Sequence, residues 1–224
     1  MKRLFLDTET TGLSCCRNRI CSLTILDDCD ECCTFMFDPE QPVESGASAV
    51  NGYTWSSLRQ YPTFAAQARR IKAILDSADV LIAHNASFDI GFLKNEFARC
   101  GIYWTPKCVE CTMLKAKRTL NAPCYKLDYL TGMLGLKNLR GRYHGSLEDT
   151  VMCKALYYEL DSYSNGTHKR RSYPSYTNST YTQEERMIQN KQSNETYPKY
   201  TGNSSMAPVW IWGGFILFII LCAL

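Results

Sequence analysis

The order of hydrophobic periodicities over the first 160 residues is what most restricts the fold. Arg3 to Leu6 reads as a buried strand. Ile20 to Leu26 and Cys33 to Phe37 alternate around the acidic turn Asp27-Asp28-Cys29-Asp30, which is a hairpin pattern. Phe64, Ala68, Ile71, Ile74 and Leu75 recur at helical spacing, and Val80 to Ala83 is a short apolar strand. Asp89 to Cys100 then reads as helix, Cys108 to Cys111 as a short extended stretch, and Lys126 to Leu134 and Leu147 to Leu160 as two further helices. An antiparallel pair followed by alternating helix and strand predicts an α/β fold, with a central mixed sheet and flanking helices. The hydrophobic fraction of 45% is enough for a buried core.

After residue 160 the composition changes. Residues 161–208 contain one large aliphatic side chain, Ile188, among six tyrosines and many Ser, Thr and Asn. Such a stretch buries too little apolar surface to offset its chain entropy, so it reads as a disordered linker. Its four Asn-x-Ser/Thr sites, at Asn165, Asn178, Asn194 and Asn203, are matches expected from that composition. Residues 209–224 carry no charge. As a C-terminal hydrophobic helix they would span about 24 Å at ~1.5 Å per residue, somewhat less than a bilayer core of ~30 Å. Trp210 and Trp212 would sit at its interfacial end. The expectation is a membrane anchor, with docking on the domain or on a partner as the other reading.

Net charge is only +3, but from Lys107 to Arg142 eight Lys/Arg stand against Glu110 and Asp128. That local excess suits a phosphate backbone and equally suits a solvated basic face. The opening MKRLFLD does not read as a secretory leader, because Asp7 breaks the apolar run, and none is expected. The twelve cysteines are therefore expected to be reduced, in a cytoplasmic chain that is membrane-associated through its tail. Cys29-x2-Cys32-Cys33 and Cys108-x2-Cys111 are superficially half zinc sites, and free thiols are the simpler reading.

Three segments carry the chemistry. In Leu4-Phe5-Leu6-Asp7-Thr8-Glu9-Thr10-Thr11-Gly12-Leu13, the carboxylates of Asp7 and Glu9 are two apart and share one face at the end of a strand. Like charges held so close repel unless a cation lies between them. In Ile82-Ala83-His84-Asn85-Ala86-Ser87-Phe88-Asp89, a second strand ends in a polar turn. Ser87 or Asp89 could cap the following helix, and His84 reads as a structural hydrogen-bonder. In Tyr143-His144-Gly145-Ser146-Leu147-Glu148-Asp149, a loop histidine precedes a helix that Ser146 could cap, with Asp149 at the capping-box position. Each segment has an ordinary reading. Together they offer four carboxylates and one imidazole, a donor set suited to two hard divalent cations and a general base.

These segments resemble the three motifs of the DnaQ-like 3′→5′ exonucleases with four acids and a histidine, a family that includes RNase T, oligoribonuclease and proofreading epsilon subunits. Ala49-Val50-Asn51-Gly52-Tyr53-Thr54, Lys126-Leu127-Asp128-Tyr129-Leu130 and Leu134-Gly135-Leu136 resemble further parts of that family, over residues 2 to 160. The resemblance implies an RNase H-like fold for an exonuclease domain spanning 1–160. It implies that Asp7, Glu9, Asp89 and Asp149 bind two Mg2+ (or Mn2+) ions and that His144 is the general base. It also implies that Thr8 and Leu13 border the 3′-terminal nucleotide, with Leu13 as a wedge, and that Asn85 and Phe88 hold it. The expected partner is nucleic acid with a free 3′ end, single-stranded for preference, hydrolysed to nucleoside 5′-monophosphates. The alternative is a catalytically silent nucleic-acid-binding or membrane-tethered scaffold. After residue 160 no clear sliding-clamp peptide is read, a departure from the pattern of the proofreading epsilon subunit.

Overall fold

The computed structural model describes residues 1–166 and the short stretches 210–212 and 215–217. Strand β1 (Arg3–Thr10) is the sheet's centre. It pairs antiparallel with β2 (Ile20–Asp27), which pairs antiparallel with β3 (Cys32–Met36). On its other edge β1 pairs in parallel with β4 (Val80–Ala83), and β4 in parallel with β5 (Val109–Cys111). The order β3-β2-β1-β4-β5 is the expected mixed sheet.

Alternation along β1 divides the core. Leu4 and Leu6 pack with Phe64, Ala68, Ile71, Phe92, Leu93 and Phe97, from helices α3 (Phe64–Asp76) and α4 (Ala86–Arg99). Phe5 packs on the other face with Leu26, Val80, Ile82, Cys153 and Tyr157, the last two from the long C-terminal helix α7 (Ser146–Ser164). The helices therefore cover both faces, and β1 is buried between them. Two short helices, α1 (Ser45–Asn51) and α2 (Trp55–Leu58), precede α3. Two more, α5 (Thr112–Thr119) and α6 (Leu127–Met133), pack with α7 around Ala116, Leu130, Leu156 and Leu160.

Several expectations are corrected. Strand β1 continues through Asp7 and Glu9 to Thr10, because its antiparallel partner β2 supplies hydrogen bonds along that whole length. Helix α4 starts three residues before Asp89, so Asp89 lies in its first turn. Helix α7 runs on through Ser164, beyond the expected linker start at 161, because Leu160 and Tyr163 still pack on the α5–α6 cluster. Helices α1, α2 and α5 were not legible, being short and built on small or polar residues. Of the expected C-terminal helix at 209–224 only six residues are described, and there Trp210–Trp212 (β6) and Phe215–Leu217 (β7) pair antiparallel. Aromatic and β-branched residues on either side of Gly213-Gly214 are a hairpin pattern. No helix among the described residues is long and apolar enough to cross a membrane. The rest of the linker and of 209–224 lies outside the described residues.

Candidate active site

The site forms where β4 stops short of β1. Pairing between the two ends at Phe5↔Ile82, while β1 runs five residues further. Beyond that point the edge of β1 needs another partner. Asp89 supplies it: its Oδ1 accepts from the Thr8 backbone N–H at 3.0 Å and from Thr8 Oγ1 at 2.8 Å. The chain reaches this position by passing from β4 to α4 through Asn85, whose left-handed φ of 65° turns the backbone sharply. Asparagine is among the few residues that tolerate that conformation. Asp89 then sits 2% exposed at the positive end of the α4 dipole.

Asp7 and Glu9 point to the opposite face, towards α7, and lie opposite Thr24 and Ser22 of β2. Ser146, the first residue of α7, is buried and does not cap its helix. Its Oγ lies 3.1 Å from Ser22 Oγ and 2.9 Å from Thr24 Oγ1. Those bonds seat the start of α7 on the sheet beside the two acids, and Asp149 follows one turn later. One ligand atom each from Glu9, His144 and Asp149 fall within 4.8 Å of one another. His144 Nδ1 is 3.9 Å from Asp149 Oδ2. The five expected residues thus come together from both faces of the sheet, around the C-terminal end of β1.

The electrostatics reflect that crowding. Burial, then the charges of Asp89, Asp149 and Glu9, push Asp7 well above the usual carboxylate range. Burial and the charge of Asp149 push Glu9 up to about 8, and burial pushes Asp89 up to about 7 against its hydrogen bonds from Thr8. Burial, then the Arg140 guanidinium, hold His144 below its ordinary value. Isolated buried carboxylates each carry a desolvation penalty of several kcal/mol. A cluster of them stays charged at neutral pH only beside strong positive charge. Four oxygen donors of this kind fit Mg2+ or Mn2+.

The exonuclease family model typified by RNase T matches residues 4–157. The chain belongs to that exonuclease family. It is 30% identical over 152 residues to a DNA polymerase III subunit epsilon-like protein of Rhodobacter capsulatus, covering 65% of this chain but 21% of that protein. It is 29% identical over 189 residues to DNA polymerase III subunit epsilon of Rickettsia prowazekii, covering 78% of this chain and 80% of that one. Among solved structures, E. coli exonuclease I in complex with a dT13 oligonucleotide has the same fold, with a TM-score of 0.65 at 19% identity. The match covers 74% of this chain and 42% of exonuclease I.

The remaining expected residues of this exonuclease-family chain divide in two. Leu13 is 85% exposed, on a loop folded back by Thr11 N–H to the Arg19 carbonyl at 2.9 Å. Asn85 is exposed, and the half-buried Phe88 ring packs 4.8 Å from Phe92. Thr8 is 6% exposed, and both its backbone N–H and its hydroxyl donate to Asp89 Oδ1, so it orients that carboxylate. His84 bridges Thr112 Oγ1 and the Tyr125 carbonyl, each at 2.9 Å, as a structural link.

Arg140 was not singled out. Its Nε and Nη2 donate to the two oxygens of Asp149, each at 2.6 Å, and its Nη1 lies 3.7 Å from Asp128. In sequence it was one of eight basic residues. Two of those charges turn out to serve internal carboxylates, since Lys115 also binds Asp161 at 2.5 Å. No local signal distinguished them, because their partners are set by tertiary packing.

Proposed function

We propose that this chain is a 3′→5′ exonuclease that shortens single-stranded DNA or RNA from its 3′ end and releases nucleoside 5′-monophosphates. The observation that carries this reading is the convergence of Asp7, Glu9, Asp89, Asp149 and His144 at one end of β1. Asp7, Glu9, Asp89 and Asp149 would hold two divalent cations, Mg2+ or Mn2+. Bound there, the cations supply charge stabilisation at the phosphate oxygens and lower the pKa of the attacking water.

The protein's own groups do the rest. His144, whose imidazole burial and Arg140 bias towards the neutral form and which is partly exposed, accepts the proton of the water that attacks the last phosphodiester. Thr8 keeps Asp89 at a fixed angle through two hydrogen bonds to one oxygen. The exposed Leu13 side chain borders the terminal base, while Asn85 and Phe88 line the approach to Asp89. A terminal base wedged there presents the last phosphate to the carboxylate cluster, which makes attack terminal and not internal.

The test uses 5′-labelled single strands of matched DNA and RNA, with Mg2+ and with EDTA. A ladder shortening from the 3′ end, dependent on the cation, is expected. Absence of shortening with Mg2+, or equal shortening in EDTA, refutes the reading. The relative rates of the two strands assign the sugar preference.

A further inference from the structure

We infer that Val50-Asn51-Gly52, at the end of α1, is the positioning element for the His144 imidazole, with Tyr143 as the side chain through which it acts. This rests on the proposed role of His144 as general base.

Three contacts support it. The His144 backbone N–H donates to the Val50 carbonyl at 2.9 Å. The Tyr143 ring lies directly against the bare Cα of Gly52: a Cβ there would be 2.8 Å from Tyr143 Cδ2 and 2.9 Å from Cγ. Asn51, 5% exposed, donates from Nδ2 to the Thr10 carbonyl at 3.1 Å, one residue after Glu9. Its Oδ1 accepts from the Tyr53 N–H at 3.0 Å, which fixes the amide's orientation.

These contacts make a direct path from β1 to the histidine. Thr10 holds Asn51, the Val50 carbonyl holds the His144 backbone, and the Tyr143 ring closes against Gly52. A loop histidine attached only to α7 would swing, whereas here its backbone is fixed relative to the strand that bears Asp7 and Glu9. Gly52 is suited to the place twice over. Its φ of 74° is the left-handed conformation that ends α1, and its missing Cβ admits the ring. Displacement of a reacting group by about 1 Å can cost on the order of 10²-fold in rate, so such a brace bears on turnover and not on strand affinity.

The competing role for Tyr143 is direct contact with the strand. It is 42% exposed, and the Arg142 guanidinium lies 5.3 Å from its ring centroid. The experiment separates the two. Gly52→Ala, Tyr143→Ala, Tyr143→Phe and the Gly52→Ala/Tyr143→Ala double variant of the full chain are compared with wild type and His144→Ala. Turnover is measured with Mg2+, and strand affinity by anisotropy of a labelled single strand in EDTA. The His144 imidazole resonances are followed by NMR in the metal-free protein.

Positioning requires that Gly52→Ala and Tyr143→Ala each lower kcat about tenfold, with KM and strand affinity within about twofold. Tyr143→Phe matches wild type, and the double variant is little worse than Tyr143→Ala alone. The His144 resonances move in the same variants that lose turnover. Unchanged kcat in Tyr143→Ala, or a raised KM at constant kcat, overturns the inference; the latter makes Tyr143 a strand contact. If wild type itself is inactive, the exonuclease reading fails, and the NMR shifts still decide whether Gly52 and Tyr143 hold His144.

Discussion

Removing divalent cations should make the stability of this protein fall as pH rises, and cations should abolish that fall. Folding raises Glu9 from 4.5 to about 8 and Asp89 from 3.8 to about 7. Both folded values lie above the unfolded ones, so the folded state holds extra protons between them. The penalty is absent below about pH 4, grows as pH rises, and is complete above about pH 8. Each rise is about three pH units, and one unit is worth ~1.4 kcal/mol. The two carboxyls belong to one cluster and do not titrate independently, so a single penalty of about 4 kcal/mol is the better figure. For a folded unit of this size that is about 10 °C in Tm. Thermal melts in EDTA and in millimolar Mg2+, from about pH 5 to about pH 8, read the gap between two curves; groups remote from the site cancel. The gap should widen with pH. Glu9→Gln removes one of the crowded charges, so it should raise the metal-free Tm at pH 8 and shrink the gap. Parallel curves, or a Glu9→Gln variant that melts lower in EDTA at pH 8, would falsify the cation-cluster argument.

Other perturbations test single links. His144→Ala should slow the chemical step by about 10²-fold with strand affinity preserved; equal loss of affinity would make His144 structural. Glu96 is 1% exposed and binds Arg19 Nε at 2.8 Å and Arg99 Nη1 at 3.3 Å, and Arg99 in turn donates to the carbonyls of Cys15 and Cys16. Glu96→Gln should therefore destabilise by roughly 3 kcal/mol, seen as a lower urea midpoint, and loosen the loop bearing Leu13. Leu13→Ala, at an exposed position, should leave Tm within about 0.5 kcal/mol of wild type in equivalent stability. It should nonetheless alter how the terminal base is engaged, read as a changed rate ratio between single-stranded and blunt duplex ends.

Residues Leu4 to Leu6, Ile20 to Leu26, Phe64 to Leu75 and Val80 to Ala83 declared their elements in sequence, because each buries a face whose period is local. The acids were legible as a set. Asp7 and Glu9 alone had an ordinary reading as a strand end, and it was their combination with Asp89, His144 and Asp149 in order along the chain that completed a known pattern. For the tail, an uncharged apolar run suits a helix and a hairpin alike, so its local pattern did not choose between them.

From the chain alone came the residue types of a cation site and the mixed sheet that carries them. Only the tertiary structure decided how they meet. Strand β4 ends early, so Asp89 can hydrogen-bond the uncovered edge of β1, and Ser146 seats α7 against β2 so that Asp149 faces Glu9. The bidentate grip of Arg140 on Asp149 and the contact of Tyr143 with Gly52 were likewise invisible beforehand. Such contacts join residues whose neighbourhood is set by packing of distant elements, and local periodicity carries no information about them.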